Sequence, residues 1–172
     1  MFFWRCEDNM SDVKQFIMPV EEAVEKYSTD VFRMAYARTN NKSDAEDITQ
    51  DVFIKYMKET KPFQNENHVK AWLLRVAINS SKNLVNSAWH RKNTSIDAAD
   101  LLYTELEETS EVYYAVMKLP EKYRIVVHLY YYEGYSVEEI SRMLEAKEST
   151  VKSWLRRARG KLKDLLKEEI DV

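Results

Sequence analysis

The sequence predicts an all-α protein: two small helical domains joined by a flexible acidic linker, the C-terminal one containing a helix-turn-helix. Three observations carry that prediction. Apolar side chains recur at three- and four-residue steps through most of the 172 residues, the spacing that lines one face of an α-helix. Only two glycines, Gly134 and Gly160, and three prolines, Pro19, Pro62 and Pro120, are present, too few for a turn-rich β-sandwich or barrel or for a phosphate-cradling glycine loop. The helical pattern lapses over 93–110, where acids, Ser and Thr accumulate without a single base.

Residues 1–19 read as an N-terminal extension, with 1–9 lying ahead of a second potential start at Met10. Its apolar opening, Met1-Phe2-Phe3-Trp4, meets Arg5, Glu7 and Asp8 at once, so no signal-peptide core can form. Runs such as 71–74 fall far short of the ~20 apolar residues that a bilayer span requires. The expectation is a cytoplasmic protein without membrane insertion.

The first domain, 20–92, is expected to hold three helices. Val20, Ala23, Val24, Tyr27, Val31, Phe32 and Met34 outline the first, with Pro19 suited to its start and an end near Asn40. Ser43 with Glu46 three residues on resembles a capping box, followed by the stripe Ala45, Ile48, Val52 and Tyr56. Pro62 and the polar 64–67 loop interrupt the chain. Val69, Trp72, Leu73, Val76, Ala77, Leu84, Val85 and Ala88 then outline a third helix, with Trp72 on its core stripe.

The linker, 93–110, has at most a transient turn at Leu101 and Leu102, and the second domain occupies 111–172. Val112, Ala115, Val116 and Leu119 lead to Pro120, and Ile125, Val126 and Leu129 to Glu133-Gly134, where Gly134 suits a left-handed turn. Ser136 caps a short helix with Glu139 in the capping-box position and Val137, Ile140 and Leu144 on its inner face. After a break at 145–147, Ser149 or Glu148 is the next candidate cap, ahead of the seam Val151, Leu155, Ala158, Leu162 and Leu165.

Charge is strongly segregated beneath a formal net charge of -3. Residues 68–92 hold five bases and no acid, residues 93–111 six acids and no base, and residues 147–167 eight bases against Glu148 and Asp164. Because surface fields act within about a Debye length, roughly 10 Å, two cationic patches can bind a polyanion whatever the total. The face of the last helix opposite its seam presents Thr150, Lys152, Ser153, Arg156, Arg157 and Arg159, all hydrogen-bond donors suited to phosphates and base edges in a major groove. A short capped helix, a tight turn and a basic helix together point to DNA rather than to a merely solvated face. Cys6 is alone, and His68, His90 and His128 are not at ligand spacing, which excludes a disulfide scaffold and argues against a metal site. No paired acids and no nucleophile-base set appear, so neither enzymatic activity nor a cofactor is expected.

Several segments resemble one known family, the extracytoplasmic-function (ECF) sigma factors of the sigma-70 class. Leu119-Pro120-Glu121-Lys122-Tyr123-Arg124, Tyr135-Ser136-Val137-Glu138-Glu139-Ile140, Thr150-Val151-Lys152-Ser153 and Arg157-Ala158-Arg159 resemble region 4. Upstream, 44–53 (Asp-Ala-Glu-Asp-Ile-Thr-Gln-Asp-Val-Phe) resembles region 2.2, and 71–79 (Ala-Trp-Leu-Leu-Arg-Val-Ala-Ile-Asn) regions 2.3 and 2.4. The resemblance spans about 20–168 in family order.

It implies a bacterial transcription initiation factor that recruits core RNA polymerase to promoter DNA and is commonly restrained by an anti-sigma factor. Asp47, Gln50, Asp51 and Phe53 match the positions that dock on polymerase; the residues themselves leave open whether Phe53 is instead core. Arg75, Asn79, Lys82 and Asn83 would read and melt the minus-10 element, Asn79 meeting the extruded base. Thr150, Lys152, Ser153, Arg156, Arg157 and Arg159 would read the minus-35 element. The two elements lie about 58 Å apart at ~3.4 Å per base pair. An eighteen-residue linker extends to roughly 60 Å, so both can be engaged at once. Two departures stand out. The glycine usual in the helix-turn-helix turn is absent from Leu144-Glu145-Ala146, and Trp154 stands where a base is common, either packing on the preceding helix or meeting thymine methyls. The competing reading is a stand-alone helix-turn-helix regulator whose N-terminal helices sense a ligand or dimerise.

Overall fold

The computed structural model describes residues 16–87 and 111–170. The linker expected at 93–110, residues 1–15 and residues 88–92, with Cys6 and His90, lie outside the described residues. Three helices form the first half: α1 (Val20–Thr39), α2 (Lys42–Lys58) and α3 (Glu66–Ser87). Four form the second: α4 (Glu111–Met117), α5 (Glu121–Val127), α6 (Val137–Leu144) and α7 (Glu148–Ile170), with a π-helical turn, His128–Tyr132, prolonging α5.

Each boundary has a local cause. Glu21 and Glu22 in the first turn of α1 and Arg38 in its last complement the helix dipole. Asn40 ends α1 in the left-handed conformation (φ 52°), which asparagine tolerates better than most residues, and its N–H closes onto the Tyr36 carbonyl. The cap of α2 is Asn41 rather than Ser43: its extended backbone lets the side-chain oxygen accept the Asp44 N–H at 2.9 Å, one residue before the helix starts at Lys42. Asn65 does the same for α3, accepting the His68 N–H at 2.9 Å.

Ala23, Val31, Met34, Ile48, Val52, Val69, Leu73, Leu74, Ala77 and Ile78 are buried between the first three helices. Each large side chain fully removed from water contributes roughly 1.5–3 kcal/mol. Trp72 packs as expected on Tyr56 and Phe63, with ring centroids 5.9 Å away in both cases. Residues 16–18, counted above with the extension, lie against this domain. Phe16 pairs its backbone with Phe63, Met18 is buried, and the Tyr56 hydroxyl donates to the Met18 carbonyl at 2.9 Å.

The second half is not separate from the first. Met117, Ile125, Val126, Leu129, Ile140, Met143, Val151 and Leu155 belong to the same apolar core as α1–α3. A smaller cluster, Val116, Leu119, Tyr123, Val127 and Ala158, ties α4 and α5 to α7. α1 packs on α5 and α3 touches α6. In the π turn the Glu133 N–H reaches back five residues to the His128 carbonyl at 3.1 Å, and Tyr130, Tyr131 and Tyr132 splay outward. Gly134 then adopts a left-handed φ of 74°.

Candidate nucleic-acid interface

The helix-turn-helix is built from α6, a three-residue turn and α7. Ser136 and Glu139 form the full capping box: the Ser136 hydroxyl accepts the Glu139 N–H, and the Glu139 carboxylate accepts the Ser136 N–H at 2.8 Å. In the turn, Glu145 stands where glycine is usual and is held left-handed (φ 54°), a conformation costing a side-chain-bearing residue roughly 1–2 kcal/mol. Helix α7 begins at Glu148, with the Thr150 and Val151 N–H groups bonded to the Lys147 carbonyl. Neither Ser149 nor Glu148 is therefore its cap; both lie in the first turn.

Val151, Leu155 and Ala158 anchor α7 in the core. Lys152, Arg156, Arg157 and Arg159 stay exposed, while Thr150 and Ser153 are half-buried on the same helix. Lys152 lies 3.6 Å from Glu148, an exposed one-turn pair, and Arg159 is 3.5 Å from the Tyr131 hydroxyl. Trp154 packs against both apolar clusters, so of its two readings the internal one holds. The basic face is thus fixed in direction by the seam beneath it, and the exposed guanidinium groups of Arg156 and Arg157 can donate bidentately to phosphate or base-edge acceptors.

On α3, Asn79 is exposed, and Lys82 and Asn83 follow on the same helix, their side chains outside the described residues. Arg75 is already engaged: its guanidinium donates to Glu145 of the helix-turn-helix at 2.9 Å. Lys70, one turn earlier, lies 2.9 Å from Asp30 and 2.8 Å from Glu133. Burial opposes the Lys70 ammonium, yet the hydrogen bonds to Glu133 and Asp30 outweigh it and raise its pKa. Burial likewise opposes the Glu133 carboxylate, and the bonds from His128 and Lys70 prevail and lower its pKa. Tyr135 beside them is pushed up to about 12, chiefly by burial.

On α2, Asp47, Gln50 and Asp51 are exposed, as a docking face requires. Phe53 is not part of that face. It is only 8% exposed and belongs to the core, because it neighbours Val52 on the inner side of the helix. The exposed apolar residues of α2 are instead Ile54 (47%) and Met57 (67%), which continue the Asp47, Gln50, Asp51 stripe at three- and four-residue steps. Sequence reasoning missed them, although two large apolar residues in the solvent phase of an amphipathic helix were the available signal.

A capped helix-turn-helix aiming a basic helix outward, on a chain whose first domain adds a helix with Asn79 exposed, defines a DNA-binding protein of two modules. Comparison with known proteins agrees. Sigma-70 region 2 matches residues 23–102, and Sigma-70, region 4 matches residues 109–162. The ECF RNA polymerase sigma factor SigM of Bacillus subtilis is 31% identical over 159 residues, covering 86% of this chain and 95% of that protein. SigE of Mycolicibacterium smegmatis, also an ECF sigma factor, is 29% identical over 157 residues, covering 85% of this chain and 61% of its own length. Among solved structures, the sigma factor RpoE in complex with the anti-sigma factor NepR from Bartonella quintana shares the fold, with a TM-score of 0.68 at 21% identity, covering 86% of this chain and 96% of that one. CnrH in complex with the cytosolic domain of CnrY gives 0.60 at 24% identity, covering 87% and 88%. The chain belongs to the ECF RNA polymerase sigma factors, which direct RNA polymerase to promoters. Region 2 is what separates it from a stand-alone regulator sharing only the C-terminal motif.

Proposed function

We propose that the two modules divide promoter recognition as follows. Lys152, Arg156, Arg157 and Arg159, with Thr150 and Ser153, read the minus-35 element from the major groove, the helix N-terminus favouring phosphate. Arg75, Asn79, Lys82 and Asn83 hold the melted minus-10 strand, where Asn79 accepts the extruded base. Asp47, Gln50 and Asp51, joined by Ile54 and Met57 in place of Phe53, dock on a basic helical surface of core polymerase: apolar contacts at the centre, acids steering from the rim. The observation that carries this reading is the exposed basic face of α7, where Lys152 lies 3.6 Å from Glu148, backed by a seam that leaves it no other orientation.

The protein acts without chemistry of its own, in the bacterial cytoplasm, and an anti-sigma factor is a fitting partner, as NepR is for RpoE. No described helix is long and apolar enough to cross a membrane, and the described residues hold no cluster of metal-ligating side chains. The test is transcription from a promoter library by purified core enzyme and this chain, with sequencing of RNA starts. Asn79→Ala should impair strand opening while polymerase binding persists. Equal loss of both would remove Asn79 from the base pocket, and absence of promoter-specific starts would defeat the reading.

A further inference from the structure

A cation of α7 and a phenol of the π turn stand side by side at the edge of the basic face. The Arg159 guanidinium donates toward the Tyr131 hydroxyl at 3.5 Å, the long end of hydrogen bonding. Arg159 has no ion-pair partner among the described residues. Packing beneath them sets the juxtaposition. Val127 of α5 and Ala158 of α7 are buried in one small cluster, and Tyr131 and Arg159 follow them along their elements. The backbone is stitched around Tyr131: the Glu133 N–H reaches the His128 carbonyl at 3.1 Å, and the Tyr135 N–H the Leu129 carbonyl at 3.0 Å. Tyr130 meets the Tyr131 ring edge to face at 5.0 Å. The phenol is thus braced yet 53% exposed. The acid of this segment, Glu133, is committed elsewhere, its carboxylate held by Lys70 and His128.

Position along α7 decides what this pair can touch. Lys152, Arg156 and Arg159 follow at four- and three-residue steps and share one stripe of the helix. At ~1.5 Å per residue, Arg159 stands about 16 Å beyond Glu148, where α7 begins. The major groove is about 12 Å wide, and a recognition helix meets base edges with its N-terminal residues. Lys152 and Arg156 fall within that width, and Arg159 falls at the sugar-phosphate strand bordering it. A hydroxyl that accepts from a guanidinium keeps its own O–H to donate. Two donors 3.5 Å apart, on separate elements, can therefore take two oxygens of the same phosphate.

We propose that Tyr131 and Arg159 clamp a single DNA phosphate at the flank of the minus-35 element, the phenol donating to the phosphate while its oxygen holds the guanidinium in place. The clamp rests on the seating of α7 in the minus-35 major groove, and it refines the part of Arg159 there. Arg159 fixes the register of the helix on the backbone, and base discrimination falls to residues nearer the start of α7. Tyr131 is its positioning residue. Because both side chains are mounted on packed elements, little ordering has to accompany binding.

The test is fluorescence anisotropy of the polymerase complex on labelled minus-35 duplex. Tyr131→Phe deletes only the hydroxyl and should weaken binding about five- to tenfold, with thermal unfolding unchanged. A neutral group releases no counterion, so the salt slope of Tyr131→Phe should match that of the unsubstituted chain, whereas Arg159→Ala should flatten it by about 0.9. The double variant should lose less than the product of the two single losses, because the groups share one phosphate. Duplexes carrying one neutral methylphosphonate, walked along the flank of the element, locate the contact: at one position both variants should bind as well as the unsubstituted chain. Undiminished binding by Tyr131→Phe, independent losses in the double variant, or losses cancelled at different phosphates each overturn the clamp. Arg156→Ala distinguishes this failure from that of the underlying reading. Weakened binding by Arg156→Ala with none by Tyr131→Phe ends the clamp alone, and no loss from Arg156→Ala, Arg159→Ala or any methylphosphonate ends the seating of α7 with it.

Discussion

Arg157→Ala tests the electrostatic part of the minus-35 recognition proposed for α7. Its side chain is exposed on α7 and has no hydrogen-bond or ion-pair partner among the described residues, while Ala158 beside it holds the helix in the core. Removal should thus change folding stability by no more than about 0.5 kcal/mol. If the guanidinium meets a phosphate, it releases close to one counterion, and the slope of log affinity against log salt flattens by about 0.9. A charge-assisted hydrogen bond worth about 1.5 kcal/mol predicts roughly a tenfold loss at ~50 mM salt. Over the fourfold rise to ~200 mM the slope difference recovers about 3.5-fold, leaving a loss near threefold. The assay is fluorescence anisotropy of the polymerase complex on labelled minus-35 duplex across that range. Parallel salt lines for the two proteins would refute a phosphate contact, and coincident lines would remove Arg157 from the interface.

The remaining predictions concern the scaffold. Phe53→Ala should lower unfolding free energy by about 3–5 kcal/mol in urea titrations, as truncation of a buried aromatic does. Asp51→Ala should weaken polymerase binding with stability nearly unchanged, and the opposite split would return Phe53 to the docking face. Ser136→Ala removes the α6 cap and should cost about 1 kcal/mol by thermal or chemical unfolding. The Lys70–Glu133 pair should shape the pH profile of stability. Glu133 is held below its ordinary 4.5, so its contribution is complete above that value and disappears as acid takes pH through the folded-state pKa. Lys70 is held above its ordinary 10.5, so its contribution is complete below that value and disappears only as pH climbs through the folded-state pKa. Unfolding free energy measured against pH should show the acid limb shrinking in Glu133→Gln; an undiminished limb would assign it to other carboxylates.

What could be read from sequence was what depends on neighbours in the chain. The Ser136–Glu139 box, the left-handed Gly134 and the Val151, Leu155, Ala158 seam are local, and each stands where spacing placed it. Local signals mislead when two are adjacent: Ser43 with Glu46 matches a capping box, yet Asn41 lies nearer the sharp end of α1 and takes the role. Phe53 falls at the edge of the α2 stripe, where helical period alone allows either side. The pairing of halves was not legible, because Arg75 and Glu145 are 70 residues apart and neither has a local mark of its partner. The π turn was hidden for a similar reason, since three successive tyrosines specify aromatic content but not a five-residue hydrogen-bond step.

That wider turn sets a phase. An α-helix advances 100° per residue and a π turn less, so the five residues 128–132 cover nearly the angle of four in ordinary winding; adding one further residue to 130–132 in ordinary winding would rotate everything beyond it by about 100° relative to α5. Glu133 would swing off Lys70, and α6 would leave α3 along with it. An insertion in this short stretch is a rotation of the whole C-terminal block, felt at once by every residue that meshes across the seam between halves.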